Sequence, residues 1–289
     1  MATEQDRTTK PHVGLLGVGL MGSAMAARLV DQGFEVIAWD RDADHVRSLD
    51  GVEVAATPDD VVAGAGIVIT MLPTAEIVLE VVEPLLAGWP EGTTWLQMSS
   101  VGAAEADRLT GVAAEHGVTL VDAPVSGSTH PAREGLLTIL AAGPESARER
   151  VAPVFAALGQ RVIWAGAAGN GSRLKLAANH WMLCSLAASA ETMHLCEAMG
   201  LDQDRFAELL DGGALGSPYV VEKLGEMGRH DYPAGFPVRL ALKDLRLVGE
   251  VEDASGLEMP ILDAALGRYE AAEAGHGDED AAAVYEVRQ

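Results

Sequence analysis

Two sets of residues in this chain of 289 residues have types and spacing that suit redox chemistry. The first is the run Gly17-Val18-Gly19-Leu20-Met21-Gly22, directly behind the apolar run Val13 to Leu16. Glycines with this spacing, between a strand and a helix, let a dinucleotide lie across the turn. The second is Lys175 with Asn179 four residues later. A hydride carrier beside a proton donor indicates the interconversion of a carbonyl and an alcohol.

Each glycine of the glycine-rich run has a separate structural role. Gly17 permits the tight turn, Gly19 lets the backbone approach the pyrophosphate, and Gly22 allows close packing of helix on strand. The predicted helix begins near Leu20 and Met21. Its free N–H groups and the positive end of its dipole would face the phosphates.

Asp40 lies 21 residues after Gly19, at the end of a second strand-like run. An acidic residue at about this spacing accepts hydrogen bonds from the adenosine ribose. A carboxylate there repels a 2′-phosphate and so favours NAD over NADP. Arg41 follows directly and offers a partner for a 2′-phosphate, so NADP stays possible.

Lys175 and Asn179 share one face of a predicted helix because they are four residues apart. An ammonium can protonate a carbonyl oxygen, and a neutral amine can accept the alcohol proton in the reverse direction. A free lysine has a pKa of about 10.4, so the second role needs burial or a nearby cation. Asn179 can hold either the substrate hydroxyl or the lysine.

The surroundings of Lys175 decide between two interpretations. A surface lysine on an amphipathic helix is the simpler one. However, the residues from Leu174 to Leu183 are apolar nearly all round the helix, which predicts a largely buried helix. Lysine is rarely buried without a partner or a function, so the apolar surroundings favour a functional role for Lys175.

A loop of small residues follows the strand-like run Leu120–Ala123, in the segment Asp122 to Ser128. Loops at the carboxyl ends of parallel strands bind ligands in sheets of this kind. The backbone N–H groups of Ser126, Gly127 and Ser128, with the two hydroxyls, can seat a substrate carboxylate. An ordinary tight turn is the alternative.

The first 165 residues alternate apolar runs with helical patterns, which predicts a parallel sheet covered by helices on both faces. Antiparallel pairing at an edge is an option for the run Leu137–Ala141. The predicted strands are Val13–Leu16, Glu35–Trp39, Ile67–Leu72, Thr94–Met98, Leu120–Ala123, Leu137–Ala141 and Val162–Trp164. The predicted helices between them include Met21–Gln32, Ala75–Leu86, Ala103–His116 and Glu145–Leu158.

The strand signal ends after Gly171, and a long helix is predicted over Ser172–Met199. Helices are then predicted over Asp202–Leu210 with Asp202 as N-cap, Pro218–Met227, within Leu240–Ala254, Pro260–Ala274 and Asp278–Val287. The predicted fold class is therefore α/β: a doubly wound Rossmann-type domain over residues 1–165, then an all-helical domain over residues 166–289. A long interdomain helix joins them.

Composition limits the partners. The formal net charge of −23 argues against binding to nucleic acid or an anionic membrane. The polar segment Met1 to Lys10 lacks the apolar stretch of a signal peptide, and no apolar run reaches the about 20 residues of a membrane helix. The two cysteines are typical of small buried residues in a reducing cytoplasm. We expect no metal site, and Lys223 has the pattern of a surface charge.

Taken in order along the chain, these motifs resemble the β-hydroxyacid dehydrogenase family, which includes 3-hydroxyisobutyrate dehydrogenase and tartronate semialdehyde reductase. Besides the segments above, Thr70-Met71-Leu72-Pro73 resembles the strand end on the family's cofactor side. Phe236 with Leu240 and Lys243-Asp244-Leu245 resembles a later motif, and Gly277-Asp278-x-Asp280 resembles the C-terminal signature.

The resemblance implies a dehydrogenase that moves hydride between NAD or NADP and a short hydroxy acid or its semialdehyde. It implies catalytic roles for Lys175 and Asn179, and cofactor contacts at Met71, Leu72 and Pro73. It places Lys243 near both substrate and nicotinamide. A homodimer or homotetramer built around the helical domain is implied as well. Imine reduction on the same fold, and a non-catalytic NAD-binding interaction protein, remain the alternatives.

Overall fold

The computed structural model of the protein describes residues 10–288. Residues 1–9 and 289 lie outside the described part, so the expectation about a signal peptide falls almost wholly on residues that are not described. The chain forms two compact units that divide between Lys175 and Leu176. The boundary predicted at residue 165 lies before this division, ahead of the long helix. Each unit is described by itself.

The first unit contains a six-stranded parallel sheet with the strand order β3-β2-β1-β4-β5-β6. The order reverses between β1 and β4, which is the doubly wound arrangement predicted. Strands β1, β4 and β5 are buried along their whole length, since helices cover both faces. The six strands are β1 (Val13–Leu16), β2 (Val36–Trp39), β3 (Val52–Val54), β4 (Ile67–Thr70), β5 (Thr94–Gln97) and β6 (Thr119–Asp122).

A second, three-stranded sheet continues the first unit, with the order β7-β8-β9. Strand β8 is the middle strand and pairs antiparallel with β7 and parallel with β9. The antiparallel pairing considered for Leu137–Ala141 is therefore found, but in a separate sheet and not at an edge. An isolated bridge between Asp122 and Ala142 lies between the two sheets. The three strands are β7 (Val125–Ser126), β8 (Leu137–Ala141) and β9 (Gly159–Trp164).

Helices fill the connections of the first unit, and several start at side-chain caps. Thr57 forms a capping box with Asp60, and the Thr74 side chain accepts from the Ile77 N–H. The α-helices are α1 (Leu20–Asp31), α2 (Ala43–Arg47), α3 (Pro58–Gly64), α4 (Ala75–Val82), α5 (Ala103–Glu115), α6 (Thr129–Glu134) and α7 (Arg148–Leu158). Short 3₁₀ helices occupy Glu83–Gly88 and Glu145–Ala147.

Helix α8 (Asn170–Ala198) spans the division between the units, and the described remainder of the second unit is helical apart from one isolated bridge, Pro237 to Asp280. Asp202 caps the next helix, as predicted, by accepting from the Asp204 N–H. The further helices are α9 (Gln203–Leu210), α10 (Pro218–Arg229), α11 (Val238–Ser255), α12 (Pro260–His276) and a 3₁₀ helix (Ala281–Glu286). Among the described residues, no helix has the length and hydropathy to cross a membrane.

Burial of α8 differs from the prediction that it is largely buried. One face packs inside the chain, where Leu183, Leu186 and Ala190 are fully buried. The opposite face leaves Trp181 60% exposed and Leu195 54% exposed. An apolar helix is largely buried only when other elements pack against both of its faces, and in this chain only one face of α8 is packed.

Candidate active site

The glycine turn follows β1 and leads into α1 with tight contacts at two positions. Gly17 has φ +100°, and a Cβ there would lie 2.4 Å from the carbonyl oxygen of Met71. A Cβ at Gly22 would lie 2.1 Å from the carbonyl oxygen of Gly17. Side chains are therefore excluded at both positions, because the backbone of the turn packs against the end of β4 and against its own helix.

The middle glycine has a different environment. Apart from Gly19 itself, its two chain neighbours and the nearby backbone of its helix, no heavy atom of the described residues lies within 4 Å of a Cβ placed on Gly19. Gly19 is also the N-cap of α1, where the described chain supplies no side-chain cap and no acidic residue in the first turn. The open space and the uncapped helix N-terminus together suit a phosphate group.

Asp40 directly follows β2 and ties that strand to the glycine turn. Its Oδ2 accepts from the Val18 N–H at 2.7 Å, and its Oδ1 accepts from the Asp42 N–H at 3.0 Å. His45 Nδ1 lies 3.3 Å from the same Oδ1. The acidic residue predicted for ribose recognition therefore borders the open turn, whereas Arg41 beside it is exposed.

The neighbouring strand ends are fixed by a buried polar network. Gln97 Oε1 accepts from the Thr70 hydroxyl at 3.0 Å and from the Ser99 N–H at 2.9 Å. The Ser99 hydroxyl in turn accepts from the Leu72 N–H at 2.9 Å. This network holds Met71 and Leu72 at the carboxyl end of β4, beside Gly17, which is the edge where doubly wound sheets bind their ligands.

The start of α8 is pinned by a carboxylate at the end of β6. The two oxygens of Asp122 accept from the Ser172 N–H and the Ser172 hydroxyl, each at 2.7 Å. A Cβ at Gly171 would lie 2.3 Å from the Leu140 carbonyl oxygen, so only glycine allows this approach. Lys175 lies one helical turn after Ser172 and is half-buried, so its position along the first unit is set by this anchor.

Burial raises the pKa of Asp122, and the hydrogen bonds from Ser172 and the charge of Arg173 offset part of that rise. The carboxylate thus depends on its partners at the helix start. Asp122 and Ser172 therefore stabilise each other, because loss of either side chain takes a hydrogen bond from a buried polar group of the other residue.

At the end of β7, the predicted small residues lie near the surface, with Ser126 and Ser128 half-buried and Gly127 exposed. Ser126 ends β7, Gly127 has φ +128°, and Ser128 is the N-cap of α6. A Cβ at Gly127 would lie 2.9 Å from Leu137 Cδ2. The turn is therefore shaped by tight packing, with its hydroxyl groups near the surface.

The second unit brings Asn179 and Lys243 together through a third residue, Asp244. Asn179 is buried, and its Nδ2 donates to Asp244 Oδ2 at 2.5 Å. Lys243 Nζ lies 3.2 Å from Asp244 Oδ1. Asp244 is itself buried on the apolar stripe of α11, so it fixes the amide of Asn179 and balances the charge of Lys243.

Lys223 is not the surface charge that its sequence pattern indicates. Its side chain is 8% exposed, and Nζ lies 2.9 Å from Glu226 Oε1 and 3.0 Å from Asp280 Oδ1. Asp280 also accepts from the N–H groups of Phe236 and Ala282. Asp280 is thus the centre of a buried ion-pair network. The side chain of Lys223 turns inward because the buried carboxylates of Asp280 and Glu226 balance its charge.

Comparison with known proteins gives matches over both units. Residues 12–166 match the family model of the NAD binding domain of 6-phosphogluconate dehydrogenase. Residues 169–288 match the model described as NAD-binding of NADP-dependent 3-hydroxyisobutyrate dehydrogenase. The chain belongs to the β-hydroxyacid dehydrogenase family. It is an NAD(P)-dependent oxidoreductase.

Individual members of the β-hydroxyacid dehydrogenase family match almost end to end. Glyoxylate/succinic semialdehyde reductase 1 of Arabidopsis thaliana is 35% identical over 96% of this chain and 98% of its own length. The 2-(hydroxymethyl)glutarate dehydrogenase of Eubacterium barkeri is 32% identical over 95% of this chain and 94% of its own. A 3-hydroxyisobutyrate dehydrogenase structure from Mycobacterium tuberculosis superposes with a TM-score of 0.88 at 30% identity, covering 96% and 98% of the two chains.

The nicotinamide dinucleotide of this family fits the first unit of the dehydrogenase. Gly17 and Gly22 are positions that no side chain can occupy, while Gly19 borders open space at an uncapped helix N-terminus. Asp40 stands at the adjacent strand end. The open turn at Gly19 thus suits a pyrophosphate, and the carboxylate of Asp40 suits an adenosine ribose.

The sequence did not predict a role for three residues around the dehydrogenase site. Asp244 could have been found, since a carboxylate on the apolar stripe of a predicted helix needs a buried partner. His45 carried no such signal, because its contact with Asp40 depends on where α2 starts. Ser172 also carried none, since a serine near a helix start has many possible partners.

Proposed function

We propose that this chain is an NAD-preferring dehydrogenase or reductase of short hydroxy acids and their semialdehydes, similar to 3-hydroxyisobutyrate dehydrogenase. The observation that carries the proposal is the anchored start of α8, where Asp122 holds Ser172 and so positions Lys175 one turn later. The relatives whose names specify glyoxylate, succinic semialdehyde and 2-(hydroxymethyl)glutarate support a small carboxylate-bearing substrate.

When bound, the nicotinamide cofactor supplies the hydride chemistry at the carbinol carbon of the substrate. Lys175 gives a proton to the carbonyl oxygen during reduction and accepts the hydroxyl proton, as a neutral amine, during oxidation. Asn179 holds the substrate hydroxyl or the lysine from a fixed side chain, since its amide is already tied to Asp244.

Recognition of the substrate carboxylate is assigned to the loop of Ser126, Gly127 and Ser128, through its hydroxyls and backbone N–H groups. Lys243 adds a positive charge near substrate and nicotinamide. Local groups are needed because the formal net charge of −23 repels an anionic substrate from the molecule as a whole.

The preference for NAD rests on Asp40. Its carboxylate can accept a ribose hydroxyl, and its negative charge repels a 2′-phosphate. We further propose a homodimer or homotetramer in the cytoplasm. The exposed apolar face of α8 supports the oligomer, and the two unpaired, buried cysteines, Cys184 and Cys196, support a reducing compartment.

The test is a screen with NAD and NADP over 3-hydroxyisobutyrate, glycerate, 3-hydroxypropionate, 4-hydroxybutyrate and serine. Glyoxylate and succinic semialdehyde are assayed in the reductive direction, and cyclic imines are assayed beside them. We expect turnover of at least one hydroxy acid with a higher kcat/KM for NAD than for NADP. If only the imines were turned over, the activity would be imine reduction and the proposal would be wrong. NADH binding without any turnover would favour a non-catalytic role.

A further inference from the structure

The carboxylate of Asp40 already holds three donors from its own chain. Oδ2 accepts from the Val18 N–H at 2.7 Å. Oδ1 accepts from the Asp42 N–H at 3.0 Å and faces His45 Nδ1 at 3.3 Å. The Asp40 side chain is 16% exposed, whereas that of His45 is 55% exposed. The acid is thus held from the protein side, with the imidazole at the solvent side.

Counting lone pairs shows a conflict at this acid. A carboxylate offers about four acceptor sites, and three of them are taken. An adenosine ribose presents two hydroxyl groups, so Asp40 can accept both only when one of its present donors leaves. The Val18 and Asp42 donors are backbone N–H groups, fixed by the glycine turn and by the start of α2. His45 is the donor on an exposed side chain and therefore the one free to move away.

We infer that His45 is a specificity-determining residue for the cofactor, which competes with the ribose hydroxyls for Asp40 and weakens the rejection of a 2′-phosphate. The inference rests on the proposed role of Asp40 in ribose recognition. As an imidazolium, His45 holds Asp40 more strongly and cancels part of its negative charge. Both effects reduce the advantage of NAD over NADP.

The charged groups near His45 come from its own segment and from the strands that pack against α2. On its own segment, Asp42 Oδ2 lies 3.8 Å from His45 Nε2, Asp44 is paired with Arg47 at 2.7 Å, and Arg41 is exposed. From the strands that pack against α2, the ionisable residues are Asp40 after β2 and Glu53 on β3. Histidine changes charge between pH 5 and 8, whereas arginine stays charged and exposed carboxylates stay ionised there.

The experiment measures the Kd of NADH and of NADPH by fluorescence titration at pH 6.0 and pH 8.0. The variants are His45→Ala and His45→Gln. The control is His12→Ala, which removes an exposed histidine paired with Glu35 at 2.9 Å before the start of β1. Because the 2′-phosphate of NADPH also titrates near pH 6, the readout is the difference between variants at each pH.

For His45→Ala we expect tighter NADH binding. The ratio of Kd(NADPH) to Kd(NADH) should rise about fivefold over wild type at pH 6.0, which corresponds to the interaction of two nearby unit charges in water. The rise is smaller at pH 8.0. His45→Gln keeps a neutral donor, so it matches wild type at pH 8.0 and resembles His45→Ala in ratio at pH 6.0. His12→Ala follows wild type at both values.

Ratios for His45→Ala within twofold of wild type at both pH values would overturn the inference. Failure of the proposed function gives a different result. In that case the wild-type protein binds neither cofactor, or Asp40→Asn leaves the ratio unchanged. Binding of NADH that responds to Asp40 but not to His45 removes only the role of the histidine.

Discussion

Lys175 is the residue on which the proposed chemistry depends, and its neighbour Arg173 offers a direct comparison. Both lie in the first turns of α8, after the Asp122–Ser172 anchor. Arg173 pairs with Asp107 at 2.7 Å on an exposed surface. A surface pair of this kind contributes little to stability, so the two positions separate catalysis from folding.

We expect Lys175→Ala to lower kcat by about 1000-fold, in the range by which a positioned acid or base accelerates proton transfer. The Kd of NADH should stay within about threefold, because the glycine turn and Asp40 are untouched. Steady-state kinetics and NADH titration measure both quantities. Arg173→Ala should keep near-normal kcat. Near-normal turnover by Lys175→Ala would show that another group handles the proton.

His194 makes a pH-dependent contribution in the second unit. Its ring stacks on Tyr285 with centroids 4.6 Å apart. Burial, then the charges of Arg268 and Arg288, lower its pKa from the ordinary 6.5. The unfolded chain therefore binds the proton more readily, and the stability that the neutral ring gives is lost as pH falls through 6.5.

The expected result is a fall in Tm between pH 7.5 and pH 5.5 that is steeper in wild type than in His194→Phe. Phenylalanine keeps a ring against Tyr285 and cannot be protonated. Thermal denaturation followed by circular dichroism measures both slopes. His116→Phe, an exposed histidine of the first unit, should keep the wild-type slope. Equal slopes in wild type and His194→Phe would remove this role of His194.

At the residue scale, the sequence predicted those contacts that depend on local spacing. Gly17, Gly22 and Asp40 lie where their spacing put them, because a strand, a tight turn and a helix determine one another over a few residues. Asp244 pairs with Asn179 on another helix, and Lys223 pairs with Asp280 near the C-terminus as well as with Glu226. Sequence spacing does not identify such distant partners. The inward turn of Lys223 was therefore missed.

At the scale of elements, long periodic segments were predicted to within a few residues at each end. Strand β1 and strand β8 have the predicted bounds. Strands β3 and β7 were missed, since three and two residues are too short to show alternation. The C-terminal segment predicted as an α-helix is a 3₁₀ helix over Ala281–Glu286, started by the Asp280 side chain.

The anchor of α8 gives a prediction at this scale. Ser172→Ala removes the hydroxyl that donates to Asp122 and leaves a buried carboxylate oxygen without that partner. We expect the free energy of unfolding to fall by about 2 kcal/mol at pH 7.5, as for other hydrogen bonds to charged groups. Urea denaturation measures the loss. Ser185→Ala removes a hydroxyl bonded to the Trp181 carbonyl at 2.6 Å and should change stability by less than about 0.5 kcal/mol.

The loss in Ser172→Ala should shrink toward pH 4.5. Burial has raised the pKa of Asp122 above 3.8, so as pH falls the folded state binds this proton before the unfolded state does. The ionised carboxylate therefore lowers the free energy of unfolding as pH rises. Protonation removes the charge that the hydroxyl stabilises. A loss that is independent of pH would mean that Ser172 acts through packing alone.

At the scale of the whole molecule, charge and apolar surface oppose each other. The chain carries 43 acidic against 20 basic residues, which disfavours the approach of a second copy at low salt. The second unit nevertheless exposes Trp181 and Leu195 on α8, and Met199 directly after this helix, each more than half exposed. Trp181 and Leu195 are two heptads apart and so share a face. Large exposed apolar side chains on one helix face are typical of an interface.

Association of two copies through this face of α8 should therefore depend on salt. We expect light scattering to give a dimer mass whose fraction rises between low and 0.5 M salt, since screening weakens the repulsion between two chains of charge −23. Trp181→Asp should give a monomer under the same conditions, because a buried interface cannot accept the unpaired carboxylate. Val54→Asp, on the edge strand β3 of the first unit, makes the same chemical change at a residue 40% exposed and should leave the dimer intact. A wild-type monomer at every salt concentration, or a dimer that survives Trp181→Asp, would contradict this use of the helix, because the exposed apolar face would then have no partner in a second copy.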